Sequence, residues 1–191
     1  MYSPAVERAL AVAIEAHARH VRKGNGDPYA VHPVHMAMLL ARLGLDDVTV
    51  QAALLHDVAE DSDDWDLAGL ERAFGSDVAS VVAELTEDKS RSWEERKRTA
   101  LEHVPHLGER AVAVKSADVL HNLTSLAAHL ELVGDGDAAW QPFRGGRDRT
   151  LAQHRAMVAA LAPRAPGPLA EALRAALRRI LAACGEQERE G

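Results

Sequence analysis

Four ionisable side chains end an apolar stretch at residues 52–61: His56, Asp57, Glu60 and Asp61. A helix advances by about 100° per residue, so all four side chains would share an arc of roughly 140°. Three acids and an imidazole on one side of a helix repel each other and resist desolvation unless a cation lies among them. A bound divalent metal is the simplest such cation. A solvated helix end that leads into an acidic loop is the alternative interpretation, and the spacing alone leaves both open.

A second polar stripe lies on the predicted helix that begins near Glu109. Asp118, Asn122 and Ser125 recur at positions i, i+4 and i+7 of a stretch that is otherwise largely apolar. An acid in such surroundings is expected to be partly buried and therefore to need a partner. That partner is either a metal or a nearby cation such as Lys115, and this choice also stays open.

A third candidate is His32, which directly precedes Pro33 and is expected to be extended just outside the next helix. Together with His56, Asp57 and Asp118 it would supply two imidazoles and two carboxylates. Such a donor set suits Mn²⁺, Fe²⁺ or Zn²⁺ better than an all-oxygen Ca²⁺ or Mg²⁺ site.

Size and composition limit the classes of protein that this chain could belong to. With 191 residues it suits one domain, and a net charge of −7 with a pI near 5.8 argues against a nucleic-acid-binding surface. The lone Cys184 excludes an internal disulfide and fits a reducing compartment. No stretch resembles a signal peptide or approaches the apolar length of a membrane span, so we expect a soluble, cytoplasmic protein without a membrane partner.

The many Ala and Leu residues and the scarcity of aromatic residues predict an all-α fold. Caps are predicted at Ser3, Asp46 or Asp47, Asp66, Ser76 and Ser92, the last as a capping box with Glu95. Loops are expected over 21–31 and 134–148. Helices are predicted over residues 4–20, 33–43, 46–61, 66–75, 76–85, 93–102, 109–132, 150–162 and 169–183.

Four motifs in this order and spacing resemble those of a known family. They are Arg22-Lys23 followed by residues 28–33, the stretch 52–61, residues 74–75 with 85–89, and residues 114–123. The chain resembles the HD-domain phosphohydrolases, specifically the hydrolase part of RelA/SpoT-type enzymes and the small alarmone hydrolases. The resemblance covers about residues 7–126. It implies a single HD domain over 1–191, a bundle of about eight to ten helices whose last members occupy about 148–183.

The resemblance also implies an activity and a metal. A divalent ion, usually Mn²⁺, would be held by His32, His56, Asp57 and Asp118, and the enzyme would remove the 3′-pyrophosphate from guanosine tetra- or pentaphosphate. The pair Glu60 and Asp61 marks the hydrolytic subgroup. One of these two acids, one helical turn from a metal ligand, is expected to accept the proton of the attacking water or to hold that water in line.

Cations and amides near the motifs are expected to hold the substrate phosphates and sugar, although each of them could instead be an ordinary surface residue. Arg144 is an alternative to Arg147 within the late loop. Gly24 stands where a Ser is common in relatives, Thr124 where an Arg is common, and residues 151–154 where tyrosines are common. The predicted substrate-binding residues are Arg22, Lys23, Lys115, Asn122, Ser125 and Arg147.

These departures concern substrate contacts, so two other functions stay open. The chain could hydrolyse another nucleotide, such as a nucleoside phosphate or NADPH, on the same scaffold. It could also bind an alarmone without cleaving it, although the intact Glu60 and Asp61 pair argues against that. In each case the expected partner is a small nucleotide, and assembly into a homo-oligomer is compatible with the sequence.

Overall fold

The computed structural model describes residues 3–22 and 26–186, and within them the all-α prediction is confirmed. The described residues form no strand, only an isolated bridge between Val21 and Pro28. These described ranges contain eleven α-helices, two of them of only four residues, close to the expected number of about eight to ten. In chain order they are α1 (Pro4–Ala16), α2 (Val31–Arg42), α3 (Asp47–Leu55), α4 (Val58–Asp61), α5 (Leu67–Phe74), α6 (Ser76–Leu85), α7 (Trp93–His103), α8 (Glu109–Val133), α9 (Asp137–Trp140), α10 (Gly146–Leu161) and α11 (Gly167–Ala183), with a 3₁₀ turn at Val104–His106.

The long helix α8 is the centre of the bundle, because it packs against α2, α3, α6, α10 and α11. Its buried positions recur on more than one side, from Ala111 through Leu123 to Leu130, as expected for a helix enclosed by others. The helices that carry the motifs and the C-terminal helices therefore share one buried element. No helix among the described residues is long and apolar enough to cross a membrane.

Most of the predicted caps are confirmed. The Asp46 carboxylate accepts from the Thr49 backbone N–H at 2.9 Å, and Ser92 and Glu95 form the complete capping box. Such caps are typically worth about 1 kcal/mol each. The cap predicted at Ser76 is wrong, because Ser76 is already the first residue of α6. Gly75 precedes it at a φ of +89°, a conformation that favours glycine.

The predictions for the first helix and for His32 are wrong in their boundaries. α1 ends at Ala16 rather than near His20, because the chain turns there and then pairs Val21 with Pro28. α2 begins at Val31, so His32 lies inside its first turn and is not extended. Pro33 is compatible with this position, since the first N–H groups of a helix have no partner within the helix.

The predicted central helix is interrupted at two of the predicted metal ligands. α3 ends at Leu55 and α4 begins at Val58, with His56 and Asp57 between them. Asp57 has φ −99° and ψ −6°, which is far enough from helical values to break the hydrogen-bond ladder. The predicted loop 134–148 also contains α9 and the start of α10, so Arg147 belongs to a helix.

Candidate active site

A cleft of about 1030 Å³ runs along α8 and is lined by α2, the α3–α4 junction, α7, the segment before α10, and α10 itself. Pockets for small molecules and cofactors commonly have volumes of about 300–1,000 Å³. The cleft is therefore large enough for a nucleotide that carries several phosphates.

At the base of the cleft the structure brings together the four predicted metal ligands. The Nδ1–H of His56 donates to the Ala53 carbonyl at 2.9 Å, which leaves Nε2 of His56 pointing to the Asp57 carboxylate at 3.1 Å. Nε2 of His32 lies 3.4 Å from Oδ1 of Asp118. One donor atom from each of His32, His56 and Asp118 lies within 4.8 Å of the others.

These separations suit donors that share one ion at bonds of about 2.0–2.2 Å, the usual lengths for imidazole and carboxylate ligands. The hydrogen bond from His56 to a backbone carbonyl fixes its ring in the tautomer that a metal ligand needs. Burial lowers the pKa of His56, but the neighbouring Asp57 carboxylate outweighs burial and raises that pKa to about 9. His56 and Asp57 thus form a buried ion pair, and a cation would take the place of the proton on His56.

Asp118 has the Lys115 partner that was one of the two alternatives left open by the sequence. Its Oδ2 accepts from Lys115 at 2.9 Å, while its Oδ1 accepts from the Asn122 amide at 2.6 Å and faces His32. Burial would raise the pKa of the Asp118 carboxyl, but Lys115 and His32 hold it well below its usual value. Asp118 is therefore a buried, ionised carboxylate with one oxygen directed toward the imidazoles.

Tyr29 is a contact residue to which the sequence assigned no role. Its hydroxyl donates to the Asp57 carboxylate, and its ring packs against His32 with the ring centres 5.7 Å apart. The Arg22 guanidinium lies over the Tyr29 ring, 5.7 Å from its centre. In the sequence, the only indication of this contact is that Tyr29 belongs to the same motif as His32, three residues before it.

Glu60 and Asp61 lie at the edge of the cleft and are held by the segment before α7. Glu60 accepts from the Glu87 backbone N–H at 2.7 Å, and burial raises the pKa of its carboxyl. The ammonium of Lys89 donates to the Glu60 carbonyl at 2.8 Å and to the Asp61 carboxylate. Lys89 belongs to a recognised motif, but its contacts join two segments far apart in sequence and no local pattern indicates them.

The predicted substrate-binding residues divide into three groups. Arg22, Lys115, Asn122 and Ser125 line the cleft, and Arg22 donates to the Asn122 side chain at 2.9 Å. Lys23 lies outside the described residues. The structure does not bring Arg147 to the cleft.

The Arg147 guanidinium instead forms ion pairs with Asp135 at 2.9 Å and with Glu186 at 2.8 Å. Its neighbour Arg144, the alternative considered from sequence, does line the cleft. The sequence placed both arginines in one loop and gave no reason to prefer either. In the structure α10 begins at Gly146, between them, and the two side chains point to different places.

A further set of cleft residues was not predicted. Arg96 and Lys97 on α7 both pair with the Glu87 carboxylate, at 2.9 and 2.8 Å. His154 on α10 faces the same space, and burial lowers its pKa to about 4. The spacing of a charged, well-capped helix indicates a solvated surface, so α7 gave no signal of a cleft wall. The unpredicted polar and aromatic lining residues include Trp93, Arg96, Lys97, Gln153 and His154.

Comparison with known proteins identifies the family. Residues 9–150 match the model of the HD domain. Over 117 residues, the chain is 42% identical to the guanosine-3′,5′-bis(diphosphate) 3′-pyrophosphohydrolase MESH1 of Xenopus tropicalis, and it is 44% identical to that of Danio rerio. Each alignment covers 60% of this chain and 65% or 64% of the relative, so the chain spans slightly less than two thirds of the curated relatives it matches.

The fold is also similar to that of a solved structure. A protein described as a metazoan ortholog of SpoT that hydrolyzes ppGpp superposes with a TM-score of 0.81 at 30% identity. The superposition covers 94% of this chain and 97% of that protein. The HD-domain match alone extends over 142 of the 191 residues and contains all four residues that converge at the base of the cleft. The chain therefore belongs to the HD domain family.

Proposed function

We propose that the protein is a metal-dependent hydrolase that removes the 3′-pyrophosphate from guanosine-3′,5′-bis(diphosphate) and its pentaphosphate analogue. The observation that carries this proposal is the convergence of His32, His56, Asp57 and Asp118 beside Glu60 in a cleft of nucleotide size. The names of the similar proteins support the choice of substrate.

The donor set supports Mn²⁺ as the ion. Two imidazoles and two carboxylates form a mixed nitrogen and oxygen set, which suits a first-row divalent ion with room for water. When bound, such an ion supplies a Lewis acid that polarises a phosphoryl oxygen and lowers the pKa of a water. Asn122 and Lys115 hold the Asp118 carboxylate in position for this role.

Glu60 is proposed as the general base. Its pKa is raised by burial, which makes the carboxylate a better proton acceptor near neutral pH. The backbone N–H of Glu87 anchors Oε1, and the other carboxylate oxygen, 3.9 Å from the Lys89 ammonium, would accept the proton of the attacking water. Asp61 would hold that water in line with the phosphorus that it attacks. Its pairing with Lys89 would fix the end of α4.

The phosphates need local positive charge, because the protein as a whole carries a net charge of −7. Arg22, Lys115 and Arg144 line the cleft and can neutralise a polyanionic substrate as charge develops on its oxygens. Arg96 and Lys97 extend this positive lining along α7. Asn122 and Ser125 supply polar groups for the sugar or a phosphate.

A nucleotide panel tests the proposal. The purified chain with Mn²⁺ is incubated separately with guanosine tetraphosphate, a nucleoside monophosphate and NADPH, and released pyrophosphate and orthophosphate are measured. Pyrophosphate from guanosine tetraphosphate is the expected result. Orthophosphate from either of the other nucleotides would instead identify a different HD phosphohydrolase. Tight alarmone binding without turnover would identify a sensing module.

The C-terminal helices share α8 with the motif helices, which supports one functional domain over residues 1–191. The cytoplasmic location and the formation of a homo-oligomer stay predictions.

A further inference from the structure

A second group of nitrogen and oxygen donors lies next to the Tyr29 ring. His17 and His20 follow the end of α1, and Asp61 is the last residue of α4. The two Nδ1 atoms of the histidines are 3.2 Å apart. One donor atom from each of the three residues lies within 4.8 Å of the others. Donors bound to one ion at about 2.0–2.2 Å lie at most about 4.4 Å apart, so a small contraction at most would bring the three donors onto one ion.

The buried member of this group has unused hydrogen-bonding capacity. His17 is only 1% exposed, and none of the residues that the structure describes is hydrogen-bonded to its Nε2. The contact with His20 can satisfy Nδ1 of His17 in either tautomer, but it leaves Nε2 without a partner. Buried polar atoms in native proteins are rarely left in this state, so the unsatisfied Nε2 indicates that the His17 imidazole has a further ligand, and the same ring stands beside a second imidazole and a carboxylate.

We propose that His17, His20 and Asp61 form a second binding site for a divalent transition-metal ion, and that this site prefers Zn²⁺ to Mn²⁺. Imidazole suits zinc, whereas carboxylate and water suit manganese. The second group has two imidazoles for one carboxylate, while the group at the base of the cleft has two for two. Three protein ligands leave a further position for water.

The second site is separate from the first but is connected to it. The Tyr29 ring lies 4.7 Å from the His17 ring, and its hydroxyl donates to Asp57 in the first group. Asp57 and Asp61 are one helical turn apart. No donor residue is shared between the two groups, so each can be emptied by substitution without removing a ligand of the other.

Lys89 competes with a cation for Asp61. Its ammonium contacts only Oδ1 of that carboxylate, and the lysine side chain is 47% exposed. A metal can therefore bind through Oδ2 while Lys89 keeps its contacts with Oδ1 and with the Glu60 carbonyl. The inference concerns binding at residues other than the four proposed ligands of the hydrolytic metal, and it goes beyond the proposed function.

The test is a zinc titration of the full chain after its metals have been stripped with a chelator. Stoichiometry is measured by calorimetry and by metal analysis of the protein after gel filtration. His20→Gln is expected to lose one zinc equivalent relative to the unsubstituted chain and to keep the equivalent that Asp118→Asn loses. Manganese, titrated in the same way, is expected to bind the second site more weakly than zinc.

Two further variants make the result decisive. Asp61→Asn removes the carboxylate and is expected to lose the same equivalent as His20→Gln, which covers the case in which one variant does not fold. His106→Gln removes an exposed histidine outside the cleft and is expected to keep the full stoichiometry. If folded His20→Gln and Asp61→Asn both bind zinc with unchanged stoichiometry and affinity, the second site does not exist. This result would leave the hydrolase proposal intact, because that proposal is tested separately, by Asp118→Asn and by the nucleotide panel.

Discussion

The two walls of the cleft are built in different ways. The wall that holds His32, His56 and Asp118 belongs to α2, the α3–α4 junction and α8, and these three residues are at most 9% exposed. The opposite wall is formed by α7, the segment around Arg144 and α10, where no residue of α7 is buried. The first wall surrounds its polar side chains with packed residues, which is the support that metal ligation needs. The second combines exposed charged side chains such as Arg144 with largely shielded ones such as Arg96, as expected of a surface that receives a charged substrate.

The largest effect is expected from breaking the buried wall. Asp118→Asn keeps the shape of the side chain but removes the charge that faces His32 and pairs with Lys115. Metal binding should be lost, and turnover of guanosine tetraphosphate should fall by about 10³-fold or more, since metal catalysis supplies several kcal/mol of barrier lowering. Metal analysis and kcat on the same sample check this.

Asp148→Asn serves as the control for that experiment, because the Asp148 side chain is 92% exposed. It should keep both metal and rate. An Asp118→Asn protein that retains its metal and its rate would remove Asp118 from the ligand set.

Glu60→Gln separates the proton acceptor from the metal ligands. The amide can still accept from the Glu87 backbone N–H, so the local structure should persist, but it cannot take a proton. The rate should fall by about 10²–10⁴-fold, the usual contribution of general base catalysis, with unchanged metal content. Full activity in this variant would exclude Glu60 as the base.

The contrast between the two walls also explains what the sequence could predict. His56, Asp57 and Asp118 were identifiable because a buried polar residue in an apolar helix stands out against its neighbours. The interruption between α3 and α4 was missed, since Leu55 and Val58 continue an apolar helical pattern across it. Secondary structure and caps followed from short-range rules, and the capping box at Ser92 is the clearest case.

The second wall was invisible in the sequence because it depends on contacts between distant segments. Arg96 and Lys97 occupy a helix whose composition indicates a solvated surface, yet both meet Glu87 at the cleft. The different directions of Arg144 and Arg147 depend on where α10 begins. No local pattern encodes that start, because Gly145 as N-cap makes no side-chain hydrogen bond.

His154 gives a pH-dependent measure of how far the second wall is shielded from water. Burial lowers its folded-state pKa to about 4, whereas an unfolded histidine titrates near 6.5. Between these values the unfolded chain binds more protons, so this contribution makes the protein less stable as the pH falls from 6.5 toward 4. At pH 5 the loss attributable to His154 should be about 2 kcal/mol.

Urea unfolding of the original chain and of His154→Gln at pH 7 and pH 5 measures this loss. Acidification should cost the original chain about 2 kcal/mol more than it costs the variant, while the contributions of the other buried histidines cancel in the difference. Equal losses in the two proteins would mean that His154 is solvated. The second wall would then be more open to water than the structure indicates.

The smallest effect distinguishes Arg144 from Arg147, two arginines that the sequence could not rank. Arg144 lines the cleft, so Arg144→Ala should raise KM by about tenfold through the loss of one partly exposed phosphate contact. Arg147 is held by Asp135 and Glu186, so Arg147→Ala should lower the unfolding free energy by about 1 kcal/mol and leave KM unchanged. Steady-state kinetics and urea unfolding of both variants give the comparison. The reverse outcome, a raised KM for Arg147→Ala alone, would restore Arg147 as the substrate contact predicted from sequence and would mean that substrate binding reorganises the start of α10.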